Sequence, residues 1–528
     1  MHRALTIPEL IHEIFSHVGT SDLASSVSIV CKQWSDISTD IIWRKLDDLQ
    51  PLLRLIGEIE VNACPERGRG HFSCKFTSLY EDWSRFDFLS RHVQVFTLSI
   101  SSIDYQPALS DIAMLRSGMV FLPRLKELEW YGCEGDSWKS SVFMMHEGIT
   151  TFTLSVPWGL SNEGYTHTAQ CFGFIAARMP HLEYLHIDSI MYRDPDISLL
   201  GLALEPVVSK LTSLKSISLP PFTNTFSIIA EMSTLPHITS ILVENESFSH
   251  HIPSFPPGLS CSLPSRLGTL HTSTTFEDAT RLFNTDLPHL SDIHLESGQS
   301  EVPSTVHRLA RLISHCCRNL RELQLASPKT TQEFTGSSLD CITIADIAPL
   351  FSCSAMEALT ISHAFPLLLP DSDIRTLLTR WPALKVLNLN SAPLSFTRGG
   401  SNLPLPEWKT LTTFARYGTN LVELGLHMNG LVDVPAIKDA YPFAQLDSLI
   451  VGSSEIRGTH DEARLLSYIL PSGCEIIPDP MGEASYEWEQ IISLISSFQQ
   501  VREEEGEARK ELERRVLELE AQLASARK

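Results

Sequence analysis

The stretch Leu421–Leu431, LVELGLHMNGL, contains the pattern that decides the fold. Apolar residues stand at its first, fourth and sixth positions, and an asparagine stands at its ninth. The spacing of the three apolar positions recurs thirteen times along the chain, with a mean period of about 29 residues, which is typical of solenoid repeats. The copies begin at Val93, Leu125, Ile149, Leu182, Leu214, Ile238, Leu267, Leu290, Leu320, Met356, Leu384, Leu421 and Leu446.

Each copy has the period of two that a half-buried strand requires. Between copies, apolar residues recur at three- and four-residue steps, as on one face of a helix. Examples are Phe172, Ile175, Ala176 and Met179, then Val306, Leu309, Ala310 and Ile313, then Ile374, Leu377, Leu378 and Trp381. Strand–helix units of this kind bury their apolar faces only by stacking on one another. We therefore predict an α/β fold in which a solenoid with a curved parallel sheet spans residues 92–477.

The first 57 residues have the pattern of three short helices. The first helix has apolar residues at three- and four-residue steps, and Gly19 ends it. Ser21 or Asp22 can cap the second helix, and Trp43 lies on the third. So short a segment buries little surface, and we expect several large apolar side chains to remain exposed, as in a docking module.

Two family resemblances follow from these patterns. Leu421–Leu431 matches the full consensus of leucine-rich repeats, whereas most other copies lack the asparagine and are degenerate. The N-terminal segment resembles an F-box, although Ile7 stands where leucine is usual and Glu9 comes one residue early. The matching elements are Ile7-Pro8-Glu9, Ile14-Phe15, Leu23, Val30-Cys31-Lys32-Gln33-Trp34 and Trp43. Residues Trp43–Leu53 further resemble the F-box proteins of mushroom-forming fungi.

The F-box resemblance implies a non-catalytic receptor. F-box proteins bind a Skp-type adaptor of a cullin–RING ubiquitin ligase, and their C-terminal repeats hold a protein substrate. The implied adaptor contacts are Ile7, Pro8, Ile11, Ile14, Phe15, Leu23, Val30, Cys31, Trp34 and Trp43. Two alternatives remain open: a repeat scaffold that binds protein partners without any ligase, and an enzyme whose site lies in the groove of the repeats.

The strand positions that alternate with the apolar ones are expected on the concave face of the solenoid. None of them is Lys or Arg. The acidic ones are Glu127, Glu129, Asp188, Glu244, Asp292, Glu296, Glu322 and Glu423, and the histidines are His186, His271, His294 and His427. One hypothesis is that this face attracts a basic protein segment, with binding that weakens below about pH 6.5. The alternative is a polar face that is merely solvated.

Composition excludes several other classes of function. The 41 basic and 63 acidic side chains give a formal net charge of −22, which argues against nucleic-acid binding. No apolar run approaches the ~18 residues of a membrane span, and no secretory segment opens the chain, so we expect an intracellular protein of the cytoplasm or nucleus. The eleven cysteines lack a Cys-x-x-Cys pair, which favours buried thiols over disulfides. No motif for a catalytic, metal or cofactor site is present.

We divide the chain into four parts. Residues 1–57 hold the F-box and the following helix, 58–91 a linker and a capping helix, 92–477 the repeats, and 485–528 a C-terminal helix. Exposed loops are expected at Pro65–His71 and Ser249–Ser265. A short heptad seam with a 4-3-4-3 spacing lies on the last helix, at Leu512, Val516, Leu519, Leu523 and Ala526. The alternative there is a solvated single helix with ion pairs along its surface.

Overall fold

The computed structural model describes part of the chain in detail and contains two units. The described residues are 7–63, 72–99, 103–116, 118–131, 138–156, 162–189, 197–243, 255–256, 258–259, 261–327, 341–394, 404–482 and 484–526. One unit is Met1–Ser273 and the other is Thr274–Lys528. The predicted loop Pro65–His71, residues 249–254, 257 and 260 of the predicted loop Ser249–Ser265, and Glu244 lie outside the described residues.

The first unit begins with helices and continues as alternating strands and helices. Its helices are α1 Pro8–Ser16, α2 Thr20–Asp22, α3 Lys32–Arg44, α4 Gln50–Leu53, α5 Ser84–Leu89, α6 Gln106–Leu115, α7 Trp138–Met144, α8 Asn162–Arg178, α9 Ile197–Val208 and α10 Thr225–Met232. Its strands are β1 Lys45–Leu46, β2 Gly57–Ala63, β3 Phe72–Leu79, β4 Val95–Leu98, β5 Ile103–Asp104, β6 Glu127–Trp130, β7 Thr151–Val156, β8 Tyr184–Ser189, β9 Ser216–Leu219, β10 Ser240–Val243 and β11 Thr269–Ser273. A π-helical turn, Leu23–Val27, and a 3₁₀ turn, Ser90–His92, complete it.

The second unit continues the alternation and ends in a long helix. Its helices are α11 Phe276–Ala279, α12 Pro303–Cys316, α13 Ile344–Ile347, α14 Asp371–Arg380, α15 Trp408–Tyr417, α16 His460–Ile469 and α17 Ser485–Ala526, with 3₁₀ turns at Ala348–Ser352 and Ile437–Asp439. Its strands are β12 Asp292–Glu296, β13 Glu322–Ser327, β14 Ala358–His363, β15 Val386–Leu389, β16 Glu423–Leu426, β17 Asn429–Gly430, β18 Ser448–Gly452, β19 Glu455–Ile456 and β20 Glu475–Pro478.

Parallel ladders connect the repeat strands within each unit. In the first unit the order is β1-β4-β6-β7-β8-β9-β10-β11, and in the second it is β12-β13-β14-β15-β16-β18-β20. Each of the thirteen predicted repeat positions coincides with one of these strands. The predicted α/β fold is therefore confirmed: a helical N-terminal module, parallel sheets of strand–helix units, and a long C-terminal helix.

The core of each unit is built from apolar residues in register. Leu128, Phe152, Leu185 and Ile217 are partners on consecutive strands of the first unit, and all four are buried. Because successive side chains point to opposite faces of a strand, the same register places polar residues together on the other face. The repeat spacing in the sequence thus determines both the buried row of apolar residues and the row of polar residues on the opposite face.

Side chains close the turns that follow the strands of the second unit. Asn429 Oδ1 accepts the amide N–H of Leu431 at 3.2 Å, at the asparagine position of the repeat consensus. Ser454 occupies the same position one repeat later, and its buried Oγ accepts the N–H of Met428 at 2.8 Å. Buried backbone groups need partners of this kind, so serine substitutes for asparagine without loss of the turn.

Residues 58–91 hold more regular structure than their sequence predicts. Strands β2 and β3 form an antiparallel hairpin, and β5 pairs with β3. Helix α5 and one 3₁₀ turn follow, at the place of the predicted capping helix. The alternation Glu58-Ile59-Glu60-Val61 is the strand signal, and it is short enough to be taken for part of a linker.

Candidate functional site

The N-terminal module has a small closed core. Ile11, Phe15 and Leu23 are buried, and six partly buried side chains pack against them: Val18, Val27, Trp34, Ile37, Ile41 and Ile42. The Phe15 and Trp34 rings meet edge to face, with centroids 5.2 Å apart, which is a favourable arrangement for aromatic rings. Pro8 is the first residue of α1, where its missing N–H costs nothing.

A second apolar stripe of α1 faces solvent. Ile7, Leu10 and Ile14 are spaced three and four residues apart, and all three are exposed. Ile29 and Val30, in the turn before α3, are exposed by 78% and 50%. A module this small cannot bury all its apolar side chains, and those left outside are candidates for a protein interface.

The module is joined directly to the first sheet. Helix α3 runs into β1, which pairs in parallel with β4, and the N–H of Gln94 donates to the carbonyl of Arg44 at 2.9 Å. Asp40 on α3 accepts hydrogen bonds from His92 at 3.2 Å and from Arg44 at 2.9 Å. Burial alone would raise the pKa of Asp40, but these two bonds outweigh burial and hold that pKa below its ordinary value. The module is therefore not attached through a flexible linker.

Comparison with known families agrees with this geometry. Residues 8–48 match the F-box-like family. The chain therefore carries an F-box-like domain at its N-terminus, and the match covers α1 to α3 and the start of the sheet. No curated protein matches the chain closely enough to count as a relative.

The predicted adaptor contacts fall into three groups in the F-box-like domain. Ile7, Pro8, Ile14, Val30 and Cys31 are exposed. Trp34 and Trp43 are half-buried, and Ile11, Phe15 and Leu23 fill the core. The buried side chains are not available to a partner while the domain is folded, so their place in the pattern reflects packing. The sequence analysis did not single out Leu10 of α1 or Ile29 in the turn before α3, and both are exposed. The exposure of Leu10 could be inferred only by dividing the α1 pattern into two stripes.

Two acidic strand residues of the first unit, Glu129 and Asp188, act on the same tyrosine, Tyr131. Glu127 is exposed and Glu129 half-buried on β6, and Asp188 is half-buried on β8. The Thr97 hydroxyl donates to Glu129 at 2.9 Å. Tyr131 follows β6, and burial together with the charges of Glu129 and Asp188 raises its pKa. The predicted acidic positions Glu129 and Asp188 therefore act on a common neighbour.

The acidic strand residues of the second unit form a row. Asp292 on β12 is the register partner of Glu322 on β13. The two residues are therefore direct neighbours on adjacent strands, whose backbones are roughly 4.8 Å apart. Glu423 and Glu475 occupy the same register position on β16 and β20, and Glu296 ends β12. Sequence reasoning missed Glu475 because β20 lacks the full repeat pattern. The row carries four acidic side chains and no basic one along its seven strands.

The basic residues of the repeats stand just before the strands and form ion pairs there. Lys215 Nζ lies 2.7 Å from Glu183, and Lys385 Nζ lies 2.6 Å from Glu357. Arg321 lies 3.6 Å from the other oxygen of Glu357. The hydrogen bond from Lys385 is the main cause that lowers the pKa of Glu357. These cations neutralise acids of the neighbouring repeat.

One predicted surface histidine is buried. His427 follows β16 and is only 3% exposed, and burial lowers its pKa to about 4. It therefore stays neutral at pH 6.5 and does not contribute to the proposed weakening of the acidic face. Its Nδ1 lies 3.3 Å from the hydroxyl oxygen of Ser453, in the next repeat.

The histidines that resemble catalytic groups are held by the backbone. His146 Nε2 donates to the Leu122 carbonyl at 2.9 Å, and its Nδ1 accepts the N–H of Gly148 at 3.0 Å. His363 Nε2 donates to the Glu301 carbonyl at 2.8 Å, and its Nδ1 accepts the N–H of Phe365 at 3.1 Å. With both ring nitrogens engaged, neither imidazole is placed to move a proton for a substrate.

Other classes of site are also absent from the described part of the chain. No group of three His, Cys, Asp or Glu side chains there could hold a metal ion. Nine cysteines are described, none is in a disulfide, and seven are buried. Among the same residues, no helix is both long and apolar enough to cross a membrane.

Proposed function

We propose that this chain is the substrate-recognition subunit of a Skp–cullin–F-box type ubiquitin ligase. The observation that carries the proposal is the F-box-like domain at residues 8–48, with apolar side chains left outside its closed core. In this role the domain binds a Skp-type adaptor and, through it, a cullin–RING ligase. The leucine-rich-repeat-like array holds a protein substrate, and the chain itself catalyses no step.

The exposed side chains of the domain are the proposed adaptor contacts. Ile7, Leu10 and Ile14 supply an apolar stripe on α1, and Ile29 and Val30 add apolar surface before α3. Large apolar side chains at the centre of an interface contribute most of the binding energy. Trp34 is a poor probe of the interface because it packs on Phe15 inside the domain.

The test is co-expression of the full chain with a fungal Skp-type adaptor, followed by affinity capture. We expect wild type to hold the adaptor, and Ile14→Asp with Val30→Asp to lose it, because each carboxylate would be desolvated in the interface. Leu202→Asp is the matched control, since Leu202 is an exposed leucine of α9 in the same unit. Circular dichroism checks that each variant remains folded.

Each outcome of this capture separates the two classes of function. A folded wild-type chain that fails to hold the adaptor contradicts the ligase proposal. It would favour the alternative, a repeat scaffold that binds protein partners without assembling a ligase. Loss of binding in the Leu202→Asp control would show that the assay reports general surface chemistry instead of the F-box-like domain.

The acidic strand positions are the proposed contacts of the substrate. A basic protein segment suits both the Glu127, Glu129 and Asp188 cluster and the row that contains Asp292 and Glu322. We expect a peptide rich in lysine and arginine to bind the full chain, and Asp292→Asn with Glu322→Gln to weaken that binding. Asp439→Asn with Asp461→Asn removes the same charge from exposed helical positions of the same unit and serves as the control. Equal affinities for the two variants would overturn this part of the proposal.

A further inference from the structure

The outer part of helix α17 is exposed to solvent. Trp488, Ile491 and Ile495 near its start are buried, and Arg502 donates to the Ser467 carbonyl. From Glu504 to Glu520, every residue except Gly506 is exposed. More than four helical turns therefore extend into solvent with no packed face.

This exposed part carries an apolar seam. Leu512, Val516 and Leu519 are exposed by 66%, 52% and 46%, and the sequence continues the 4-3 spacing at Leu523 and Ala526. In heptad terms Val516 is at an a position and Leu519 at a d position. A β-branched residue at a with leucine at d favours a two-stranded parallel coiled coil.

The charges beside the seam also select a parallel partner of identical sequence. In this register Arg515 is at a g position and Glu520 at the following e position. A parallel dimer brings Arg515 of each chain next to Glu520 of the other. An antiparallel dimer would instead oppose Glu513 and Glu520, which repel each other.

Ion pairs within the helix leave the seam open. Arg509 pairs with Glu513 at 3.0 Å, Arg514 with Glu511 at 2.6 Å, and Arg515 with Glu518 at 3.3 Å. These pairs support the helix but cover none of the apolar side chains. A solvated single helix accounts for the ion pairs and does not account for leucine or valine at four consecutive seam positions, Leu512 to Leu523.

We infer that α17 is a homodimerisation helix, which binds α17 of a second copy of this chain as a parallel coiled coil through Leu512, Val516 and Leu519. The anchored first turns make this feasible for so short a seam, because the costly nucleation of the helix has already occurred on the folded repeats. Two heptads form a short interface, so we expect an equilibrium between monomer and dimer that depends on chain concentration. It does not depend on adaptor binding.

The first test is sedimentation equilibrium of the full chain over a range of concentrations. We expect the average mass of wild type to rise towards that of a dimer, and Leu519→Asp to remain a monomer because a carboxylate at d would be buried. Leu517→Asp is the matched control: Leu517 is an exposed leucine of the same helix that lies off the seam. Helix content by circular dichroism shows that both variants still fold.

The orientation has its own test. In a parallel dimer, Glu520→Arg places two arginines together and raises the dissociation constant, and adding Arg515→Glu lowers it again. In an antiparallel dimer, Glu520→Arg alone would strengthen association by facing Glu513. A monomeric wild type at the highest concentration, or equal weakening by Leu517→Asp and Leu519→Asp, overturns the dimer. Tighter association of Glu520→Arg overturns the parallel arrangement.

Discussion

Phe15 is the side chain that determines how the F-box-like domain packs. It is 3% exposed, and the Trp34 ring meets its edge. We expect Phe15→Ala to destabilise the domain by about 3 kcal/mol, because a large cavity remains between short helices that cannot collapse to fill it. Amide hydrogen exchange of α1 and α3 measures this loss.

The control for that substitution lies one residue earlier. Ile14→Ala shortens an exposed side chain of the same helix, and we expect a change within about 0.5 kcal/mol. If Phe15→Ala and Ile14→Ala lower the hydrogen-exchange protection of α1 equally, the packing of Phe15 in the core is not what stabilises this helix.

Asp40 makes the attachment of the F-box-like domain dependent on pH. Because its pKa is lowered in the folded chain, its contribution to stability is present above the ordinary pKa of aspartate and disappears as the pH falls through the lowered value. We therefore expect Asp40→Asn to unfold at a lower temperature than wild type at pH 7, and the difference to shrink as the pH falls below about 4 and to vanish only below the lowered pKa.

Asp36→Asn is the comparison for Asp40→Asn, since Asp36 is exposed one turn earlier on the same helix. Its unfolding temperature should follow that of wild type across the pH range. A difference between Asp40→Asn and wild type that persists unchanged at low pH would contradict the role given to the carboxylate.

At the scale of elements, the sequence predicts those strands and helices that have a regular period and spacing of apolar residues. All thirteen repeat strands could be located because each repeats one apolar pattern, and stacked repeats bury that pattern identically. Strands β1 and β20 were missed because Lys45–Leu46 and Glu475–Pro478 lack it; they gain strand geometry by pairing with β4 and β18. Tertiary pairing, not local propensity, defines these two ends.

The candidate site was predictable only in part for a similar reason. Periodicity identified the apolar residues of α1 but could not tell which stripe faces the core, since Ile7, Leu10 and Ile14 are as apolar as Ile11 and Phe15. Likewise, alternation along β16 placed His427 on the surface, whereas the side chain is buried and contacts Ser453 of the next repeat. Contacts between repeats are not visible in the alternation of one strand.

Trp488 is the largest side chain that anchors helix α17. Trp488 is fully buried, and its Nε1–H donates to the Ser454 carbonyl at 2.9 Å. We expect Trp488→Ala to cost about 3 kcal/mol of local stability and to release the protection of α16 and α17 in hydrogen exchange. Tyr486→Ala, which truncates an exposed ring two residues earlier, should leave both helices protected.

At the scale of the whole molecule, the formal charge of −22 acts together with the local acidic rows. Basic residues next to the strands pair with acids of neighbouring repeats, as Lys215 does with Glu183. Fields of this kind accelerate the encounter with a cationic partner more than they stabilise the final complex.

We therefore expect the association rate of a lysine- and arginine-rich peptide to fall steeply as salt rises from about 50 to about 200 mM, over which the Debye length shortens past ~10 Å. The dissociation rate should change much less. Salt screens the long-range attraction between the separated partners more strongly than the short-range contacts within the complex. Stopped-flow fluorescence with a labelled peptide measures both rates. Asp292→Asn with Glu322→Gln should flatten the salt dependence, whereas Asp439→Asn with Asp461→Asn should retain most of it. If the two variants respond alike, the net charge alone steers the peptide, and the row on the second unit has no particular part in recognition.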